Sequence, residues 1–129
     1  MNYIKVAIGI VLNKNKIYIT KANKNKYNLN TWEFPGGKIK KNEKLISGLK
    51  RELFEEVGIK ILYFSFFQYK KIFFKKIKLY FFLVKKWKGK IYSREGYKHC
   101  WVDVKTIKNY QFPISNYTVI KKLKNIFLR

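Results

Sequence analysis

A single cysteine, Cys100, rules out any disulfide within the chain, and a reducing cytoplasm is the simplest setting for such a protein. Long apolar runs are missing as well. A membrane helix needs roughly 18 uninterrupted apolar residues, and the longest candidate, Ile72–Val84, is broken by Lys75, Lys76 and Lys78. No small-residue cleavage site follows the apolar N-terminal stretch MNYIKVAIGIVL, which therefore reads as a strand rather than a signal peptide. Internal repeats and linkers are also lacking. The chain has 129 residues, 47% of them hydrophobic, enough for one core and not two, so residues 1–129 are expected to form one domain.

The scarcest commodity is negative charge. Seven acidic residues (Glu33, Glu43, Glu52, Glu55, Glu56, Glu95 and Asp103) face 30 lysines and arginines, for a net charge of +23. Such a charge by itself suggests a polyanionic partner. Two readings compete. Arginine occurs only at 51, 94 and 129, and Lys, Asn, Ile, Phe and Tyr, all with A/T-rich codons, are abundant together. A compositional drift accounts for that pattern as well as selection for nucleic acid does. In a chain so short of acids, four glutamates within residues 43–56 stand out.

What is present is alternation of strand and helix patterns. Tyr3–Leu12 is β-branched and apolar, a strand buried on at least one face. Asn13-Lys14-Asn15 reads as a hairpin turn into a second strand, Lys16–Thr20. A polar loop over 21–31 leads to a short extended piece, Trp32-Glu33-Phe34, ended by a turn at Pro35-Gly36-Gly37. From Lys44 to Val57 the period becomes helical: Leu45, Leu49, Leu53 and Val57 make one apolar stripe. Gly48 sits mid-helix at a cost of about 1 kcal/mol relative to alanine, so close packing is expected there, and Gly58 is placed to cap the end. Residues 60–87 form two antiparallel strands turning near 70–76, loops at 88–90 and 93–98 flank a short extended piece, and His99–Val104 is a strand. Val119, Ile120, Leu123, Ile126 and Phe127 then mark a terminal amphipathic helix. His99, Trp32 and Trp87 read as packed residues rather than catalytic or stacking ones. The order predicts an α+β domain with helices packed on a sheet.

The chemistry concentrates in residues 37–59, GKIKKNEKLISGLKRELFEEVGI. Glu52, Glu55 and Glu56 stand at i, i+3 and i+4, so their carboxylates share one side of the helix and repel. A solvated acidic face paired with nearby lysines is the bland account. A hard divalent cation is the chemical one: carboxylate oxygens suit Mg²⁺, which keeps some waters and binds substrate phosphates.

Gly37, Glu43, Arg51, Glu52, Leu53, Glu55, Glu56, Gly58 and Ile59 match every position of the signature of the Nudix hydrolases, a motif too long to be an accident of composition. The flanking segments WEFPGGKI (32–39), LVKKWKGK (83–90), REG (94–96), FPISN (112–116) and VIKKLK (119–124) resemble, in order, those of the MutT-type 8-oxo-dGTP diphosphatases of that family. This resemblance implies a Nudix-like α/β/α sandwich with a mixed sheet and two main helices. It also implies Mg²⁺-dependent hydrolysis, with Mn²⁺ as a substitute, in which the carbonyl of Gly36 and the carboxylates of Glu52, Glu55 and Glu56 hold the metal. Arg51 would orient the glutamates through charge-assisted hydrogen bonds, Glu43 and Gly37 would shape the loop, and either Glu52 or Glu95 would act as base.

The same resemblance lines Ala22, Tyr27, Glu33, Phe34, Pro35, Gly36 and Asn116 along the substrate. Asn116 would read the base. Oxidation at C8 turns guanine N7 from acceptor to N–H donor, and a side-chain amide can pair with O6 and N7–H together. The account of Asn116 without a ligand is a cap on the final helix. Departures from the family pattern are Lys21 and Ala22 where arginines stand, Tyr27 in place of histidine and Lys75 in place of arginine; lysine keeps the charge and loses the planar fork. The implied partner is a free nucleoside triphosphate, taken by a cytoplasmic monomer that requires no nucleic acid or membrane. The runner-up activities are hydrolysis of another nucleotide and, in a different class, a basic nucleic-acid-binding module with a vestigial box.

Overall fold

A computed structural model describes residues 2–21, 31–94 and 96–127. The candidate residues Ala22, Tyr27 and Glu95 lie outside that range, as does most of the polar loop expected over 21–31. The strands are β1 (Ile4–Asn13), β2 (Lys16–Lys21), β3 (Trp32–Glu33), β4 (Gly36–Lys38), β5 (Lys60–Ile72), β6 (Ile77–Lys88) and β7 (His99–Asp103). The helices are α1 (Leu45–Val57) and α2 (Tyr117–Phe127), with 3₁₀ turns at Val104–Asn109 and Ile114–Asn116.

The strands form one branched mixed sheet in the order β3-β2-β1-β6-β5, with β7 also on β2 and β4 also on β1. β1 and β6 run parallel from Ile4↔Ile77 to Val11↔Val84; the other pairings are antiparallel. The free edge of β1 is divided. Val6, Ala7 and Ile8 pair with β4, whereas Leu12 and Asn13 pair with β2. The sheet therefore parts along β1 between those two neighbours.

Two-residue alternation sends side chains to two separate cores. Ile10 and Leu12 of β1, Ile17 and Ile19 of β2, and Leu79, Phe81 and Leu83 of β6 join Val119, Ile120 and Leu123 of α2. Their neighbours Ala7, Val11, Tyr18, Phe82 and Val84 join Leu49, Leu53 and Val57 of α1. One helix thus covers each face, the α/β/α layering that the family resemblance implies. Among the described residues no helix is long and apolar enough to cross a membrane.

Local signals act as expected in most places. Lys14 takes a positive φ in the β1–β2 turn and Lys76 another in the β5–β6 turn. Gly58 adopts the left-handed conformation after α1, its N–H directed at the carbonyls of Leu53 and Phe54. Three readings need correction. Gly36–Lys38 is a strand rather than the end of one, because its amides and carbonyls find partners on β1. The short extended piece expected between residues 90 and 93 is not a strand: Tyr92 N and Arg94 N donate to the carbonyls of Val57 and Glu56, satisfying the end of α1 instead. Trp32 and Trp87 pack against the two cores as expected, the former edge-on to Tyr110 and the latter stacked on Trp101. His99 lies on β7 beside the ring of Tyr18 but is itself exposed.

Candidate active site

Two glycines set how closely α1 approaches the sheet. A Cβ on Gly9 would come 2.9 Å from a methyl of Leu53, so α1 sits hard against β1 at that point. A Cβ on Gly37 would overlap the Glu52 carboxyl group. The absence of a side chain at Gly37 is what lets that carboxylate lie against the backbone of β4. Gly48 is close-packed as its cost in helix propensity demands: a Cβ there would overlap Ile39 and lie 2.9 Å from Glu43 Oε1.

With Leu49, Leu53 and Val57 buried, the acidic side of α1 turns toward β4 and its loop. Arg51 organises it. Its Nε and Nη2 donate to the two oxygens of Glu43 at 2.9 and 3.1 Å, a two-point pairing. Nη1 donates to Glu52 Oε1 at 2.9 Å and Glu55 Oε1 at 3.1 Å, and Nη2 also reaches the carbonyl of Lys38 at 3.1 Å. Glu43 closes the loop by accepting from Lys40 N at 2.9 Å. The ion pairs of Glu52 and Glu55 are with Arg51 and not with the lysines that the bland account expected, although the Glu55 side chain is largely exposed.

The hydrogen bonds from Arg51 and then from Lys40 N hold the Glu43 carboxyl at a pKa of about 2, against an ordinary value of 4.5. Those same bonds to Glu43 raise the already high pKa of Arg51. A depressed folded pKa contributes stability that is complete above the unfolded value and disappears as pH falls through the folded one. Glu43→Gln is therefore expected to lower the urea midpoint at pH 6, with the gap from wild type narrowing below pH 4.5 and closing near pH 2. A gap that stays constant down to pH 2 would show that the charge on Glu43 contributes nothing.

Glu56 is handled differently. Its Oε2 accepts from the amide of Gly36 at 3.3 Å, across the seam between helix and sheet. Arg51 binds Glu52 and Glu55 while the Gly36 amide binds Glu56, and among the described residues no three acidic side chains are grouped as a bound metal ion would require. The donor set nevertheless fits a hard divalent ion. It is all oxygen, and Glu52 and Glu55 each give Arg51 only Oε1, so that among the described residues Oε2 of each accepts no hydrogen bond.

Phe34 belongs to the core on the α2 face of the sheet. Asn116 is 8% exposed. Its amide nitrogen donates to Ser115 Oγ at a long 3.4 Å, and its side chain caps no amide of α2 among the described residues, so the capping account is not what the structure shows. Phe34 is buried against Phe112, just ahead of Asn116 in the chain, with ring centroids 5.0 Å apart. Pro35 is buried and its carbonyl accepts from Gly9 N, and Glu33 pairs with Thr20 across β2–β3. Lys21 lies over the Trp32 ring, and Lys75 sits in the exposed β5–β6 turn.

Tyr18 is the residue that sequence reasoning passed over. It falls within the expected strand Lys16–Thr20, whose local pattern gives it no distinguishing mark. The only available signal was general: a buried tyrosine hydroxyl ordinarily finds a partner.

This arrangement, a glycine-lined strand beside an arginine-clamped row of glutamates on a helix over a mixed sheet, defines a Nudix domain. The NUDIX domain profile matches residues 3–123, and the chain belongs to that family. Members of the family generally depend on a divalent metal. The chain is 57% identical over 130 residues to the 8-oxo-dGTP diphosphatase of Buchnera aphidicola subsp. Schizaphis graminum (strain Sg), covering 100% of both chains. Its identity to the 8-oxo-dGTP diphosphatase of Escherichia coli (strain K12) is 37% over 129 residues, covering 98% of this chain and 100% of the relative. A solved MutT structure, from work on Aliivibrio salmonicida and Vibrio cholerae, superposes with a TM-score of 0.90 at 34% identity, covering 98% and 100% of the two chains.

Proposed function

We propose that the protein hydrolyses 8-oxo-dGTP to 8-oxo-dGMP and pyrophosphate, clearing an oxidised precursor from the nucleotide pool before replication can use it. The observation that carries this reading is the Arg51-organised row of Glu52, Glu55 and Glu56, in a chain matched end to end by relatives named for that activity. The protein would act as a cytoplasmic monomer on free nucleotides, with no nucleic-acid or membrane partner required.

In this mechanism Gly36, Glu52, Glu55 and Glu56 hold Mg²⁺, or Mn²⁺ in its place. The ion, when bound, supplies positive charge against the phosphate oxygens and acidifies water. The chain does the rest. Arg51 keeps Glu52 and Glu55 aimed in common, and Gly36 and Gly37 allow the polyphosphate to approach the backbone. Water oxygen bonds to the β-phosphorus, the bond from that phosphorus to the α–β bridging oxygen breaks, and the water proton passes to Glu52 or Glu95. Asn116 pairs with O6 and N7–H of the oxidised base, while Glu33, Phe34, Pro35, Ala22 and Tyr27 line the nucleotide. With unmodified guanine the amide oxygen of Asn116 would face a lone pair, a mismatch that discriminates strongly when buried.

Pyrophosphate release from a panel of oxidised and normal triphosphates tests the reading. The expected result is fastest turnover of 8-oxo-dGTP, none after chelation, and recovery on adding Mg²⁺ or Mn²⁺. Equal turnover of dGTP and 8-oxo-dGTP would transfer the activity to another nucleotide. Chelator-insensitive inactivity, with micromolar DNA binding that survives physiological salt, would instead favour the basic binding module.

A further inference from the structure

Among the described residues the hydroxyl of Tyr18 is the one buried side-chain polar atom without a hydrogen-bond partner. Tyr18 is 0% exposed. Its ring belongs to the core beneath α1, edge-on to Trp101 and tilted against His99, each at 5.6 Å. A phenylalanine would make those ring contacts equally well. The hydroxyl adds nothing to them and costs the burial of an unsatisfied polar group. Burial pushes its pKa up to about 12, with the negative charge of Glu56 the next cause, so at neutral pH it is a protonated donor within the electrostatic reach of that carboxylate. Glu56 Oε2 also accepts from the Gly36 amide at a long 3.3 Å.

We propose that Tyr18 is a positioning residue for the metal site: its hydroxyl donates to the carboxylate of Glu56 and holds it in the orientation that ligates the divalent ion. This rests on the reading of Glu56 as a ligand. Among the described residues Glu56 accepts from the Gly36 amide and the Tyr18 hydroxyl has no hydrogen-bond partner. A Glu56 carboxylate turned from the amide to ligate the ion would offer a lone pair that the Tyr18 phenol could satisfy. Hydrogen bonds of this kind to a ligating group commonly alter metal affinity by about ten- to a hundredfold when removed.

The experiment is Mn²⁺ titration, followed by the electron paramagnetic resonance of the free ion, on wild type, Tyr18→Phe, Glu56→Gln and the double variant without nucleotide. Tyr18→Phe is expected to raise the Mn²⁺ Kd by about tenfold, and to add no further loss in the Glu56→Gln background. Its metal-free melting temperature should equal or exceed that of wild type, because an unsatisfied buried group has gone. Mn²⁺ binding within twofold of wild type by Tyr18→Phe, while Glu56→Gln is impaired, would overturn the positioning role alone. Wild-type binding by Glu56→Gln would overturn both that role and the assignment of Glu56 as a ligand. A melting temperature several degrees lower for Tyr18→Phe would show a structural hydrogen bond and equally end the proposal.

Discussion

Replacing Glu52 by glutamine is expected to lower kcat for 8-oxo-dGTP by at least about a hundredfold, the low end of what a general base contributes, while leaving the fold intact. The two halves of that expectation have separate causes. Glutamine keeps the length of the side chain and an amide oxygen that can still accept from Arg51 Nη1. The two-point Arg51–Glu43 pairing and the Lys38 carbonyl contact do not involve Glu52 at all. Circular dichroism and melting temperature should therefore stay close to wild type. Lost instead is a charge lying against Gly37, to which the proposed mechanism gives the part of metal ligand or of acceptor for the water proton. Near wild-type turnover would remove Glu52 from the mechanism and leave Glu95 as the base.

The second large effect is expected at Asn116. Asn116→Ala should reduce the ratio of kcat/KM for 8-oxo-dGTP over dGTP by about a hundredfold or more, since buried hydrogen-bond mismatches are the strongest discriminators available to a site. Little stability should be lost. The side chain contributes one 3.4 Å contact to Ser115, whereas the backbone bond from Asn116 N to Pro113 O is untouched by the substitution. The readout is steady-state kinetics on both nucleotides. A ratio unchanged while both rates fall would mean that Asn116 shapes the pocket without reading the base, and would move recognition to the residues around Phe34.

Much of the fold was legible because its signals are local. The four-residue spacing of Leu45, Leu49, Leu53 and Val57 declares a helix, and Gly58 ends it with a conformation that few other residues tolerate. β-branched runs declare β1 and β2, and the long hairpin of β5 and β6 was visible in composition and turn position alike. The glutamate row was legible for the same reason: a fixed helical pitch determines which carboxylates share a face before any tertiary contact forms. The extended run at Gly36–Lys38 was not. Proline and two glycines signal a turn locally, and only a partner strand with unpaired amides and carbonyls makes such a stretch extended.

The same division runs through the site. Sequence by itself determined the chemistry: oxygen donors grouped on one helical turn, an arginine one position ahead of them, glycines beside them, and a family signature matched at every position. Tertiary structure decided the partners. It gave Arg51 to Glu43 in two-point contact, set Glu56 against the Gly36 amide, docked Tyr92 and Arg94 on the last carbonyls of α1, and left the Tyr18 hydroxyl facing no partner. The physical reason is range. Helical pitch and strand alternation act over a few bonds and can be read along the chain, whereas those pairings join residues brought together only when α1 closes onto the parted sheet.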